Sequence, residues 1–403
     1  MREAERRSKR AIPAAADPPT VPEESEEEDF QDEGEDARVS GFGARLLDRR
    51  KLASAVVLCA LGVAGIYLVI PKLVGIDESL DRLDEATWYW LVIAVAFNVV
   101  AFAAYVALFR GVLGGSGTDR VRERLDVRAS YQITMAGLAA TRIFSAAGAG
   151  GVVLTYWALR KAGMPRRRSA CRMVAFLVLL YSVYLLALIV FGVLLRTGVL
   201  PGDNPAGGTI LPAAIAAAAI VLLGSMALIP GDFERRLWHY AKGERLAGFA
   251  AKVASGPATL ATGVRTAIDY LRHPSRGALA VSGAVGFWAA NIGVLWASFE
   301  AFGGDVQFGV LVQGFFVGMA ANLVPSPAGG IGSVDAGMIA AFVLFGIPQE
   351  IVFPAVLTYR VIAFWLPIPP GLVAYFQLRH TVTAWEEERG LYTSESKVKA
   401  EAT

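Results

Sequence analysis

The chain has 403 residues and a formal net charge of +2, with 55% of its residues hydrophobic and only 18% charged. Stretches without Asp, Glu, Lys or Arg occupy 52–71, 86–109, 173–195, 204–231, 277–299 and 306–334, each of transmembrane length. Such a chain is an integral membrane protein; so balanced a charge gives no basis for a nucleic-acid partner.

Residues 1–47 are polar and poor in large apolar groups, so they are expected to form a disordered cytoplasmic tail rather than a signal peptide. A basic end (Arg2, Arg6, Arg7, Lys9, Arg10) precedes ten carboxylates between Glu23 and Asp36. That block is either a solvated tail or a dock for basic surfaces. The transmembrane domain is expected over 48–380, with a second cytoplasmic tail over 381–403.

Charge sets the topology. Arg49, Arg50 and Lys51 hold the N-terminus inside, before a first span at 52–71. The acid-rich loop after Pro71 lies outside, and a span from about Trp88 to Phe109 returns to a loop with Arg110, Arg120, Arg122, Arg124 and Arg128. Residues 131–159 then lead into Arg160, Lys161, Arg166, Arg167, Arg168 and Arg172, again a cytoplasmic signature. Both ends being inside, and the second half holding Gly148, Gly150 and Gly151, the segment is expected to re-enter on one side. Irregular backbone at that depth needs shielding from lipid. Spans at 173–195 and 209–230 follow, then the loop 231–277 with eight Lys or Arg against four acids. Its helical part, 233–271, suits the membrane interface. Further spans are expected at 279–299, 306–324, 334–347 and 351–377. The result is an all-α polytopic fold with about eight crossings, a re-entrant glycine-rich segment and both termini in the cytoplasm.

An internal repeat organises this array. The fifteen residues from Gly137 to Gly151 align without gaps on those from Gly318 to Gly332, with seven identities, and each copy is followed by a Gly-x-Pro, Gly163-Met-Pro165 and Gly346-Ile-Pro348. Duplicated, interrupted apolar segments point to a transporter's substrate site. In the second copy Pro325 and Pro327 remove backbone donors, while Gly329, Gly330 and Gly332 permit non-helical dihedrals. A helix is expected to restart at an N-cap Ser333, with Asp335 in its first turn, where the helix-end dipole favours a carboxylate. Asp335 is then either a capping charge or part of a site for an amine-bearing or zwitterionic group, a proton or a cation.

Arg360 lies inside the last span and needs a partner, since a buried arginine costs roughly 2.5–3.5 kcal/mol on insertion scales. Glu350 is closest in sequence but belongs at the outer end, which leaves Asp335. Arg142 stands beside the first break. Each arginine alone is compatible with snorkelling; together they suit a phosphodiester gripped from two sides. Candidate substrate- or ion-binding residues are therefore Asp335, Arg360, Arg142, Ser326, Ser333 and Asn322. Breaks or hinges are expected at Gly148, Gly151, Pro325, Pro327, Gly329, Gly330, Gly332 and Pro367. Asn98, Asn291 and Gln313 either line a cavity or join helices. Cys59 and Cys171 suggest neither a disulfide nor a metal site, and His239, His273 and His380 lack ligand spacing. No cofactor or metal is expected.

The stretch from Asn322 through Asp335, the end Phe345-Gly-Ile-Pro348 and Thr358-Tyr-Arg360-Val-Ile-Ala-Phe-Trp-Leu-Pro367 resemble the transmembrane domain of lysylphosphatidylglycerol synthases and their stand-alone flippase-like relatives. The resemblance covers roughly 50–380. It implies movement of a phospholipid or polyprenyl-linked lipid across the cytoplasmic membrane. The family usually has Glu where Asp335 stands, and an acid after the first glycines where this chain has none. About 25 residues follow Leu378, too few for the aminoacyl-transferase domain of the full-length synthases, so the chain is not expected to be an enzyme. The alternative reading is a non-transporting membrane partner or regulator of an envelope-biosynthesis enzyme.

Overall fold

The structure, a computed structural model, describes residues 86–114, 119–143, 149–228, 244–323 and 332–401. The expected tail over 1–47 and span at 52–71 lie outside these, as do Gly148, Pro325, Ser326, Pro327, Gly329 and Gly330. The described residues belong to one compact unit, Arg49–Thr403, and their secondary structure is all helical.

Among the described residues twelve α-helices follow in order: α1 (Trp88–Phe109), α2 (Asp119–Arg124), α3 (Val127–Ile143), α4 (Ala149–Lys161), α5 (Arg166–Arg196), α6 (Ile210–Met226), α7 (Glu244–Arg272), α8 (Pro274–Ala301), α9 (Phe308–Met319), α10 (Ser333–Leu344), α11 (Gln349–Arg360) and α12 (Ile368–Glu401). A π-helical turn, Arg110–Gly114, extends α1; another, Val361–Trp365, follows α11; a 3-10 turn, Ala320–Leu323, follows α9. Four helical stretches are long and apolar enough to cross a membrane: Trp88–Gly114, Arg166–Arg196, Gly277–Ala301 and Gln349–Glu388. The protein is thus a multi-pass membrane protein.

The two copies of the repeat form two helical hairpins of the same design. In the first, α3 packs back on α4 where Gly137 meets Gly151. A β-carbon on Gly137 would lie 3.2 Å from the Thr155 hydroxyl, and one on Gly151 would meet the Gly137 carbonyl oxygen at 2.5 Å. In the second, α9 packs on α10 where a β-carbon on Gly318 would lie 2.6 Å from Met338 Cα. Lipid tails are as apolar as leucine, so close backbone approach at small residues has to hold such pairs.

Both hairpins also stop in the same way. Gly163 (φ 97°) and Gly346 (φ 79°) adopt the left-handed region at the ends of α4 and α10. Met164 N–H donates to the Leu159 carbonyl at 3.1 Å, and Ile347 N–H to the Phe342 carbonyl at 3.1 Å, the outer bond of a glycine-terminated helix end. Pro165 and Pro348 then open α5 and α11 with extended backbone.

Each hairpin leans on a helix from the other half of the chain. α12 runs along α3, with Gly371 against Ala139 and the Met135 carbonyl, and Thr381 donating to Gln132 Oε1 at 2.9 Å. α5 runs along α9, where Tyr184 donates its hydroxyl proton to the Phe316 carbonyl at 2.7 Å. Between them, α1 and α8 pack antiparallel over their whole length, from Thr87 N–H on the Ala301 carbonyl (2.9 Å), through Trp90 edge-on to Trp296 (5.1 Å), to Gly111 against Ala280.

Several expectations change in detail. The segment expected to cross at 334–347 is the 12-residue α10. At 1.5 Å per residue it rises about 18 Å, against a hydrocarbon thickness of about 30 Å. Ser333 is the first helical residue rather than the N-cap; Gly332 takes that position with φ 82°, which a serine would adopt only under strain. The last span is interrupted by the π turn, and α12 continues as helix through 381–401, where a tail is expected.

Candidate functional site

A polar cluster is assembled by five helices, α1, α3, α8, α10 and α11, and the π turn after α11. α10 presents Asp335 from its first turn, and the carboxylate reaches back to accept from Gly332 N–H at 3.0 Å. Its other oxygen, Oδ1, meets Arg360 Nε, at the end of α11, at 2.5 Å. The two atoms face each other as an ion pair rather than as an aligned hydrogen bond. Both residues are buried, Asp335 9% and Arg360 5% exposed, so the pair stands in a low dielectric and neither partner can be removed cheaply.

Arg142, in the last turn of α3, has a different kind of partner. Its Nη1 donates to the Phe364 carbonyl at 2.7 Å and its Nη2 to the Ala363 carbonyl at 3.0 Å. Those carbonyls are accessible because Val361–Trp365 is wound as a π-helix; single π turns are frequent at functional sites. Asn98 of α1 completes the row by donating to the Ile362 carbonyl at 2.8 Å. Three successive carbonyls of the irregular turn are thus satisfied by side chains from elsewhere in the fold, as burial requires.

One aromatic ring links the two arginines. The Arg360 guanidinium carbon lies 4.5 Å from the Phe364 ring centroid and that of Arg142 lies 5.1 Å from it, with Phe102 of α1 at 6.0 Å on the Arg142 side. Rings attract cations through their quadrupole, more strongly where water is excluded. Tyr359 is buried beside Arg360 and its hydroxyl reaches Asn291 Oδ1 of α8 at 3.5 Å. Asn98 and Phe102 fall near the middle of the span Trp88–Gly114, and Asn291 near the middle of Gly277–Ala301. The cluster therefore lies level with the middle of these two spans, where the ends of α3 and α11 and the start of α10 converge.

The structure thus brings together Asp335, Arg360 and Arg142, with Pro367 buried just beyond the π turn and Gly151 at the first hairpin's crossing. Asn322 is exposed on the 3-10 turn. Gln313 is buried but spent on the Gly208 carbonyl at 2.9 Å, a joint to the loop before α6. Phe364 and Tyr359 were not singled out from the sequence. For Phe364 the signal was its spacing, four residues after a buried arginine; Tyr359, one residue before it, carried no such signal. Among the described residues no group of His, Cys, Asp or Glu is arranged to hold a metal ion.

Residues 52–371 match the family model described as lysylphosphatidylglycerol synthase TM region. The chain belongs to this family. The match covers the repeat and the whole cluster, and it is the family's membrane region rather than a catalytic domain. A UPF0104 membrane protein of Methanothermobacter thermautotrophicus is 22% identical over 334 residues, covering 79% of this chain and 94% of that protein. A second match of the same description and organism is 28% identical over 86 residues, 21% of this chain and 26% of its partner. The lysylphosphatidylglycerol synthase TM region is a flippase-like membrane family, and this chain shares its helical membrane architecture.

Proposed function

We propose that this protein moves the headgroup of a membrane lipid across the cytoplasmic membrane by way of the Asp335–Arg360–Phe364–Arg142 cluster. The observation that carries this reading is an ion pair and a second guanidinium at mid-depth, at the ends of interrupted helices. A protein that only needed to span the membrane would gain nothing from burying three charges there, and intramembrane ionisable residues mark substrate or ion paths. Interrupted helices in corresponding positions of two repeats are the arrangement transporters use to bind near the bilayer midplane.

In this reading the hairpins enter from opposite faces. The mouth of α3–α4 carries Arg124, Arg128, Arg160 and Lys161 and faces the cytoplasm, whereas that of α9–α10 lies between Asp305 and Glu350 and faces outward. With the span expected from the sequence at 52–71, the full crossings are then α1, α5, α6, α8 and the α11–α12 pair, and both termini lie inside. Neither hairpin crosses, and the two meet on the cluster.

The test is reconstitution of the purified protein into vesicles containing a trace of fluorescent phospholipid, with an impermeant quencher outside. The wild type is expected to expose the inner-leaflet label to the quencher. Arg360→Ala, reconstituted in equal amount, is expected to leave it protected. Protection in wild-type vesicles equal to that in protein-free vesicles would defeat the reading.

A further inference from the structure

Among the described residues, the charges of the cluster do not cancel. Asp335 is matched by Arg360, and its second oxygen is taken by Gly332 N–H. Among the described residues no carboxylate pairs with Arg142, whose partners are the neutral carbonyls of Ala363 and Phe364. One carboxylate against two guanidiniums leaves one positive charge among the described residues of the cluster. Both guanidiniums lie against the Phe364 ring, which brings two like charges together in a place where Coulomb forces are weakly screened.

Resting on the transport reading above, we infer that the substrate is a lipid whose headgroup is a phosphodiester with net charge −1, bound between Arg142 and Arg360. A guanidinium has five N–H donors. Two of Arg142's are spent on carbonyls; three have no acceptor among the described residues. Arg142 is also only half-buried. Paired donors in a planar fork match phosphate oxygens. A monoanion makes the occupied cluster neutral, which is the state that crosses hydrocarbon at least cost. A zwitterionic head carries an extra ammonium, and the one carboxylate able to meet it is already held twice. A cationic, aminoacylated head would add to the surplus positive charge.

Two measurements test this. In phosphatidylcholine vesicles, labelled phosphatidylglycerol is expected to cross about tenfold faster than labelled phosphatidylcholine or lysyl-phosphatidylglycerol. Arg142→Lys keeps the charge and should keep that order, whereas Arg142→Gln removes the surplus and should abolish the preference for phosphatidylglycerol. In parallel, short-chain phosphatidylglycerol should raise the melting temperature of the detergent-purified wild type and of Arg142→Lys but not of Arg142→Gln. Soluble glycerophosphoglycerol, added in place of the lipid, shows how much of that shift the diester supplies without acyl chains. Equal transport of all three lipids by the wild type would overturn the charge assignment and leave the transport reading standing. Selective stabilisation by phosphatidylglycerol without any lipid crossing would do the reverse. An unchanged preference in Arg142→Gln would also overturn the inference.

Discussion

The two helical hairpins share a glycine crossing, a left-handed glycine stop and a following proline, yet they carry opposite charges to the same place. The first delivers Arg142 and satisfies it with backbone carbonyls of a π turn. The second delivers Asp335 and satisfies it with the Arg360 side chain and its own helix start. A guanidinium bound to neutral carbonyls keeps its charge available to a ligand. A carboxylate locked to an arginine does not. The same shape thus carries two arrangements, a guanidinium held by neutral carbonyls and a carboxylate paired with an arginine.

That difference can be broken in graded steps. The largest effect is expected from Asp335→Ala, which strands Arg360 in the interior and should cost about 3–5 kcal/mol, read as loss of thermal stability in detergent. The exchange Asp335→Arg with Arg360→Asp should restore part of it if the pair is a clamp, and none if each residue acts separately. Next comes Arg142→Gln, expected to cost about 1.5–3 kcal/mol through the bonds to Phe364 and Ala363. A smaller, comparative effect is expected at the crossings. Gly318→Ala drives a methyl into the Met338 backbone at 2.6 Å and should cost about 1–3 kcal/mol, whereas Gly137→Ala meets only the Thr155 hydroxyl at 3.2 Å and should cost less. The smallest belongs to the end of α12, which reaches the mouth of the first hairpin. Glu388 pairs with Arg124 at 3.2 Å and Glu386 with Lys161 at 2.6 Å, all partly exposed. Glu388→Gln should change stability by no more than about 1 kcal/mol, and the change should vanish in high salt.

Much of this arrangement was legible in the sequence. The expected span at 88–109 coincides with α1, and the Gly-x-Pro that follows each copy of the repeat falls where α4 and α10 end. The partner of Arg360 followed from elimination, because Glu350 begins α11 while Arg360 ends it. What escaped was local geometry with no compositional mark. Val361-Ile-Ala-Phe-Trp365 itself reads as ordinary apolar helix; the break expected at Pro367 pointed to an interruption beside it, but not to a π turn whose carbonyls hold Arg142 and Asn98. Gly332 displaced Ser333 as the cap because the chain enters α10 with a positive φ, and that is set by the path of the preceding break rather than by capping preference. The 12-residue α10 was counted as a crossing because its composition is apolar, although its length is not sufficient.

The most direct test of the central claim, two hairpins entering from opposite faces to meet on one cluster, is labelling of single cysteines at their mouths. In a background with Cys59→Ala and Cys171→Ala, Arg128→Cys marks the start of the first hairpin and Gln349→Cys the residue beyond the second; both native side chains are exposed. With an impermeant maleimide applied to intact cells, Gln349→Cys is expected to react and Arg128→Cys to react only after the membrane is opened. Labelling of both positions from the same face would contradict the account.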